Sequence, residues 1–134
     1  MSTNTDEAAQ LLLAAWKGTT RINGLPSRCR PADLDQGYAI QDAFLLATGE
    51  ALGGHKIAAT SVAGQEHIGI THPITGGLLS SQIRSPGAQV SLSGNQMCAA
   101  EAEFVFEFKT QSNYNSTNRA AQSSFYVYDM NGEL

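Results

Sequence analysis

The stretch Cys98-Ala-Ala-Glu-Ala-Glu-Phe-Val-Phe-Glu-Phe108 alternates two kinds of side chain with a period of two, which is the pattern of a β-strand. One face of this strand would carry three phenylalanines, and the other would carry Glu101 and Glu103 with Val105 and Glu107. Positions two apart on an extended chain are separated by roughly 7 Å, so both carboxylates could approach one ion. The stretch therefore predicts a strand with a carboxylate pair on one face.

This carboxylate pair has two interpretations. Carboxylate oxygens suit a hard divalent cation such as Mg²⁺ or Mn²⁺, so Glu101 and Glu103 could be metal ligands. Alternatively, the strand packs its phenylalanines in the core and turns its glutamates to water, as half-buried strands ordinarily do. On this stretch alone the amphipathic strand without a metal is favoured, and a choice between the two interpretations depends on the rest of the sequence.

Composition narrows the class of protein. A chain of 134 residues is one domain's worth, and eight basic against twelve acidic residues give a formal charge of −4 without a Lys/Arg cluster, so no nucleic-acid partner is expected. No apolar run approaches membrane-spanning length, and the first residues lack a signal-peptide pattern. Cys29 and Cys98 lack C-x-x-C spacing and are expected to be reduced packing residues. These features predict a cytoplasmic protein without a membrane partner.

Apolar spacing and capping signals predict helices first and strands afterwards, so the expected fold class is α+β. Thr5 should cap the first helix and Gly18 should end it. Gly49 should end the second helix, and Ser61 should cap a short third one. The predicted helices are 8–17, 32–47 and 61–68, and the predicted strands are 55–59, 77–82, 89–92 and the stretch that ends at residue 108.

The last part of the chain differs in composition from the rest. Residues 109–124 are polar and rich in Asn and Ser, which predicts a loop or disorder, and residues 125–128 could form one short strand. The edge of the predicted strand near 104–108 must then be covered by this tail, by another subunit, or not at all.

Several segments match one known family in the same order along the chain. They are Leu25-Pro26 with Gly37-Tyr38-Ala39-Ile40-Gln41, then Gly54 to Ser61 with Gln65 and Gly69, then Pro73 to Leu78, then Ala100 to Phe104. On these segments the chain resembles the fumarylacetoacetate hydrolase superfamily, and most closely its 2-keto-4-pentenoate hydratase and 4-oxalocrotonate decarboxylase branch. The resemblance covers about residues 8–108, and the segments around Lys56 and the Glu101/Glu103 pair are its most specific parts.

The resemblance implies an α+β fold in which N-terminal helices precede part of a fumarylacetoacetate-hydrolase-like β-roll that is incomplete at the C-terminus. Residues 1–108 would be the N-terminal portion of a hydratase domain, and residues 109–134 would be a polar tail without a counterpart in the family. Complete family members are longer, so the resemblance implies a truncated member, expected to form a homo-oligomer if it folds.

The resemblance also implies a site. Glu101 and Glu103 would hold Mg²⁺ or Mn²⁺ with a third acidic residue further along, although Asp129 and Glu133 fall outside the family's motif for it. Lys56 would be catalytic and substrate-binding, with its ammonium facing the carboxylate or oxo group of a small 2-oxo or 2-hydroxy acid; the alternative is a surface lysine at a strand start. The matches at Ser61 and Gln65 imply substrate binding, and their structural alternatives are a helix cap and a helix-packing amide.

The implied function is a metal-dependent hydratase, a lyase that adds water to a 2-hydroxy-2,4-dienoate (2-keto-4-pentenoate) in the catabolism of aromatic compounds. A 2-oxo acid decarboxylase of the same family would use the same site. Two departures bear on the choice, because Ala58 stands where the family often has glycine and Ile74 stands where hydratases often carry an acid. Two other classes stay open, a catalytically inactive subunit or remnant and a plain α+β binding domain with an amphipathic strand.

Overall fold

The computed structural model of the chain describes residues 4–93, 101–108 and 121–128. They fall into two units, Met1–Ile83 and Arg84–Leu134. The first unit contains helices α1 (Asn4–Lys17), α2 (Leu34–Thr48) and α3 (Val62–Ile68) and strands β1 (Leu52–Ala58) and β2 (Ile74–Leu79); the second contains strands β3 (Glu101–Phe108) and β4 (Ala121–Tyr128). Helices with antiparallel strands confirm the α+β class. The boundary at residue 108 that the resemblance implies stays a prediction.

Helix α1 ends at Lys17, as predicted, but it begins earlier than predicted. It already includes Asn4, so Thr5 lies inside the helix and does not cap it. After Gly18, which follows the last helical residue as predicted, Thr19 has the left-handed conformation with φ 50°. The N–H of Thr20 donates to the carbonyl of Ala15 at 2.9 Å, which closes the last turn around this left-handed residue.

The core of the first unit lies between α1, α2 and the segment that joins them. Ala8, Cys29 and Ile40 are buried together, with Leu12 and Leu25 packed against them. The ring of Trp16 meets the ring of Phe44 edge to face, with centroids 5.8 Å apart. Cys29 is 2% exposed, which confirms its prediction as a packing residue, whereas Cys98 lies outside the described residues.

Helix α2 begins and ends close to where the sequence predicts. The Asp33 side chain accepts a hydrogen bond from the Gln36 N–H at 2.8 Å and caps the helix. Gly49 takes the left-handed conformation, φ 72°, that ends it.

Strands β1 and β2 form an antiparallel hairpin whose long connection contains α3. Gly77 on β2 lies against α2, because a Cβ added there would be 2.6 Å from Cδ1 of Leu45. A glycine at this position lets the helix pack directly on the strand. The predicted strand over 77–82 begins earlier than expected, at Ile74, and residues 80–82 form a 3-10 turn.

The second unit contains the antiparallel pair β3–β4, with the register running from Glu101 opposite Tyr128 to Phe108 opposite Ala121. The strand predicted over 98–108 is confirmed from Glu101 to Phe108, and 98–100 lie outside the described residues. The strand predicted at 125–128 extends back to Ala121. Part of the tail therefore covers one edge of β3, which is one of the three alternatives. Residues 109–120 lie outside the described residues. The strand predicted at 89–92 is wrong, because these residues have no regular structure and no pairing partner among the described strands.

Among the residues that the structure describes, none of the helices combines the length and the apolar character needed to cross a membrane.

Candidate functional site

Lys56 lies in the middle of β1 on the half-buried face of the hairpin. Burial alternates along the strand: Lys56 and Ala58 are half-buried, whereas His55 is exposed and Ile57 is 56% exposed. The residue directly opposite Lys56 on β2 is Gly76. Cross-strand partners present their side chains on the same face, so no side chain stands opposite the lysine. Lys56 is therefore not an ordinary surface lysine at a strand start.

Two side chains of α2 bind the outer edge of β2. The Tyr38 hydroxyl accepts a hydrogen bond from the Thr75 N–H at 3.2 Å. The Gln41 amide makes two hydrogen bonds to the same strand edge. Its Oε1 accepts from the Gly77 N–H at 2.7 Å, and its Nε2 donates to the Thr75 carbonyl at 3.4 Å. Backbone groups alternate in direction along a strand, so those of Gly76 point the other way, toward Lys56 on β1. The helix thus holds β2 in the register that places Gly76 opposite Lys56.

The sequence indicated this contact only in part. Tyr38 and Gln41 are spaced for one side of α2, which predicts packing, but their polar ends find backbone partners rather than a core. Two hydrogen-bonding side chains three residues apart on a helix face are the signal that could have identified a strand-edge contact.

The turn that follows Lys56 is held by two of the predicted substrate-binding residues. Ala59 has a left-handed conformation, φ 55°, and its carbonyl accepts a hydrogen bond from Nε2 of Gln65 at 3.0 Å. The Ser61 hydroxyl accepts from the Gly64 N–H at 3.1 Å and caps α3, which confirms the predicted cap. Both side chains therefore have structural partners, and their contact with a substrate stays a prediction.

On β3, burial is the reverse of ordinary alternation. Glu101 and Glu103 are half-buried, whereas Phe104 is 73% exposed and Phe106 is 60% exposed. The interpretation that the phenylalanines pack in the core and the glutamates face water is therefore wrong for this strand. Glu107, at the far end of the same face, is exposed, as expected.

Across residues 4–93, 101–108 and the backbone of 121–128, no group of three or more His, Cys, Asp or Glu side chains lies close enough to hold a metal ion. Two carboxylates on one strand face do suit Mg²⁺, which commonly binds through one or two carboxylates and keeps several waters. The alternatives for a third ligand, Asp129 and Glu133, lie outside the described residues. Glu101 and Glu103 as ligands of a cation therefore stay a prediction.

The predicted site residues belong to both units. Lys56, Ser61 and Gln65 lie in the first, and Glu101 and Glu103 lie in the second. Their meeting in one site stays a prediction.

Among the described residues, the titratable groups with altered pKa values lie at the contact between α1 and the segment that follows it, and not at this site. The hydrogen bond from Arg28 holds the pKa of Glu7 below its ordinary value, and the same contact raises the pKa of Arg28. Burial, with Glu7 nearby, raises the pKa of the Cys29 thiol. A thiol in this environment is not an activated nucleophile.

Comparison with known proteins identifies relatives. The chain is 31% identical to the TodF product hydratase of Pseudomonas putida over 103 residues, which are 75% of this chain and 38% of that protein. It is 36% identical to 2-keto-4-pentenoate hydratase 1 of Dechloromonas aromatica over 91 residues, which are 66% of this chain and 35% of that protein. The chain is related to the 2-keto-4-pentenoate hydratases. This similarity confirms the resemblance seen in the sequence segments.

The chain spans little more than a third of the length of the hydratases that it matches. No protein-family model matches it, and no solved structure matches it. The similarity to the two hydratases supports descent from a hydratase, which is a type of lyase. The β-roll fold stays an implication of the resemblance.

Proposed function

We propose that this chain carries part of the active site of a metal-dependent hydratase that adds water to a 2-hydroxy-2,4-dienoate, the enol form of 2-keto-4-pentenoate. The observation that supports this most is the reversed burial of β3, where Glu101 and Glu103 are half-buried and the phenylalanines beside them are exposed. A merely amphipathic strand would have the opposite pattern. The similarity to two hydratases supplies the chemistry that such a carboxylate pair would serve.

Glu101 and Glu103 would hold Mg²⁺ or Mn²⁺ through one carboxylate each. When bound, the cation supplies a Lewis acid that polarises the C1 carboxylate and C2 oxygen of the acid. The strand fixes the spacing of the two ligands, since both project from one face of β3 two residues apart. Their partial burial would keep competing water away from the carboxylates and strengthen their attraction to the cation.

Lys56 would bind the substrate through its charge. Its stem lies on the half-buried face of the hairpin, which would hold the ammonium near packed backbone and restrict its positions. An ammonium there would pair with the substrate carboxylate and offset the negative charge that develops as the dienol becomes a ketone. Ser61 and Gln65 would act by fixing the turn at Ala59, three residues after the lysine.

Water would then add in conjugate fashion to give a 4-hydroxy-2-oxo acid. The same stabilisation of an enolate would serve decarboxylation of a 2-oxo-1,6-dioate, so a 2-oxo acid decarboxylase is the neighbouring possibility within the family. Ile74, placed where hydratases often carry an acid, removes one candidate for water activation.

The test is an assay of purified protein with 2-hydroxypenta-2,4-dienoate and Mg²⁺ or Mn²⁺, following loss of dienol absorbance. We expect metal-dependent turnover in the wild-type chain and its loss in Lys56→Met. Lys17→Met is the matched control, because Lys17 is an exposed lysine at the end of α1 and its loss should change nothing. Turnover that survives in Lys56→Met would contradict the role of Lys56.

A second candidate is a non-catalytic relative that serves as a subunit or is a remnant. The observation that favours it is Ile74, which stands where hydratases often carry an acid that could activate water. A folded chain that binds the cation but does not turn over the dienoate would support this candidate.

A further inference from the structure

The face of the hairpin that carries Lys56 has a gap in its row of side chains at Gly76. On β2 this face presents Ile74, Gly76 and Leu78, and each is half-buried. The two apolar positions lie on either side of the glycine, and Lys56 stands opposite it. By this register, a position without a side chain lies between Ile74 and Leu78 on β2 and opposite Lys56 on β1.

Packing does not require the glycine. A Cβ added at Gly76 would have a single neighbour within 4 Å, Oε1 of Gln41 at 3.9 Å, which is an ordinary contact distance. The next residue shows the contrast, since a Cβ on Gly77 would lie 2.6 Å from Leu45 and 3.0 Å from Leu52. Packing against neighbouring side chains therefore explains the glycine at position 77 but not the glycine at position 76.

Backbone conformation does not require it either. The described glycines with a positive φ are at positions 24, 49, 69 and 87, and Gly76 is not among them. The backbone N–H and C=O of Gly76 point toward β1, where Gly76 pairs with Lys56. Those of Thr75 and Gly77 point to the outer edge, which α2 binds. A glycine inside a strand weakens the strand relative to alanine, and such glycines often mark the close approach of a ligand.

We infer that Gly76 is a specificity-determining residue that admits a short, unbranched carboxylic acid beside Lys56. The acid would place its carboxylate at the lysine ammonium and lay its flat, unsaturated chain over the glycine backbone between Ile74 and Leu78. A side chain at position 76 would occupy the place of that chain. This inference rests on the proposed function, because it takes Lys56 as the group that faces the substrate.

Glyoxylate with cyanoborohydride tests the inference without any need for turnover. The Lys56 amine condenses with the aldehyde, water leaves, and hydride from the borohydride reduces the imine to a stable secondary amine that mass spectrometry locates. Labelling at Lys17 in the same molecule is the internal reference. We expect Gly76→Ala to lower the ratio of Lys56 to Lys17 labelling about ten-fold and Gly76→Val to lower it further, as extra methyl groups do in a fitted pocket.

Gly54→Ala is the matched control. Gly54 lies on the same face of the hairpin, pairs with Leu78, and has room for a methyl group, since a Cβ there would be 3.9 Å from Ile83. Its labelling ratio should equal that of the wild type. Formaldehyde in place of glyoxylate should label Lys56 equally in all variants, because it is small and uncharged.

An unchanged ratio of Lys56 to Lys17 labelling by glyoxylate in both Gly76 variants would overturn the inference. An equal fall in this ratio with formaldehyde would also overturn it, because the added methyl group would then shield the amine itself. Gly76→Ala should keep or raise the urea midpoint of unfolding, and a large loss would show that the glycine is required by packing, which also contradicts the inference. The two proposals fail separately, because a chain without hydratase turnover can still show the glyoxylate pattern.

Discussion

Ala59 shows how a single residue can be held in an unfavourable conformation beside a candidate site. Its φ of 55° lies in the left-handed region, which costs an L-residue with a Cβ about 1 to 2 kcal/mol. The hydrogen bond from Gln65 to its carbonyl and the Ser61 cap hold the turn in place. The sequence does not reveal such strain, because alanine is not a residue that signals a left-handed turn.

Ala59→Gly should therefore raise the free energy of unfolding by about 1 kcal/mol, because glycine adopts this φ without steric cost. The matched control is Ala58→Gly, one residue earlier in strand β1, where φ is not positive. That change should lower the free energy of unfolding by about 0.5 to 1 kcal/mol, since glycine weakens a strand. Urea denaturation measures both. A loss of stability in Ala59→Gly would contradict the assignment of strain to Ala59.

The contact of Glu7 with Arg28 predicts a pH dependence. Because Arg28 lowers the pKa of Glu7 from its ordinary value of 4.5, the pair contributes stability above that value and loses it as the pH falls through the lowered pKa. The difference in urea midpoint between wild type and Glu7→Gln should be small at neutral pH, as for exposed ion pairs, and should vanish at a pH well below 4.5. A difference that grows as the pH falls would contradict this account.

At the scale of the element, the contact between α2 and the edge of β2 positions the hairpin. Gln41→Leu removes two hydrogen bonds to the strand, and we expect it to lower the free energy of unfolding by about 1 to 3 kcal/mol because the Gly77 N–H loses its partner. Tyr38→Phe removes one bond and should cost about 1 kcal/mol.

Amide hydrogen exchange separates the two contacts. In Gln41→Leu the Gly77 amide should exchange faster while the Thr75 amide keeps most of its protection, and in Tyr38→Phe the order should be reversed. Each variant is the control for the other. Equal acceleration of both amides in either variant would mean that the helix detaches as a whole, which would contradict a local role for each side chain.

The elements differ in how far the sequence predicts them. The ends of α2 and the cap of α3 follow from Asp33, Gly49 and Ser61, because capping depends on local hydrogen bonds that the residue type alone supplies. A strand needs a partner, and that depends on distant residues. Residues 89–92 alternate like a strand but have no partner among the described strands, whereas 121–124 look like a polar loop but pair with β3.

At the scale of the whole molecule, the sequence predicted the strand that carries Glu101 and Glu103 better than it predicted the surroundings of these residues. The spacing of Glu101 and Glu103 on one face of a strand is a local property, and β3 confirms that strand. The side of β3 that is buried depends on contacts beyond the strand, and the ordinary alternation rule predicted the wrong side. The residue opposite Lys56 likewise depends on the register of the hairpin, which no local pattern specifies.

The span of the chain relative to the hydratases also belongs to this scale. An alignment that covers 38% or 35% of a relative supports common ancestry, but the activity of the whole hydratase includes residues that have no counterpart in the aligned part. Binding of the cation and turnover of the dienoate are therefore separate questions.

The central claim is that Glu101 and Glu103 together bind one divalent cation, and titration calorimetry with Mg²⁺ and Mn²⁺ tests it most directly. The variant to compare is Glu101→Gln with Glu103→Gln, which keeps side-chain size, and the matched control is Glu107→Gln, on the same face of β3 but exposed. We predict a binding heat for one cation in the wild type and in Glu107→Gln, and its loss in the double variant. Equal heats in all three proteins, or none in the wild type, would contradict the claim.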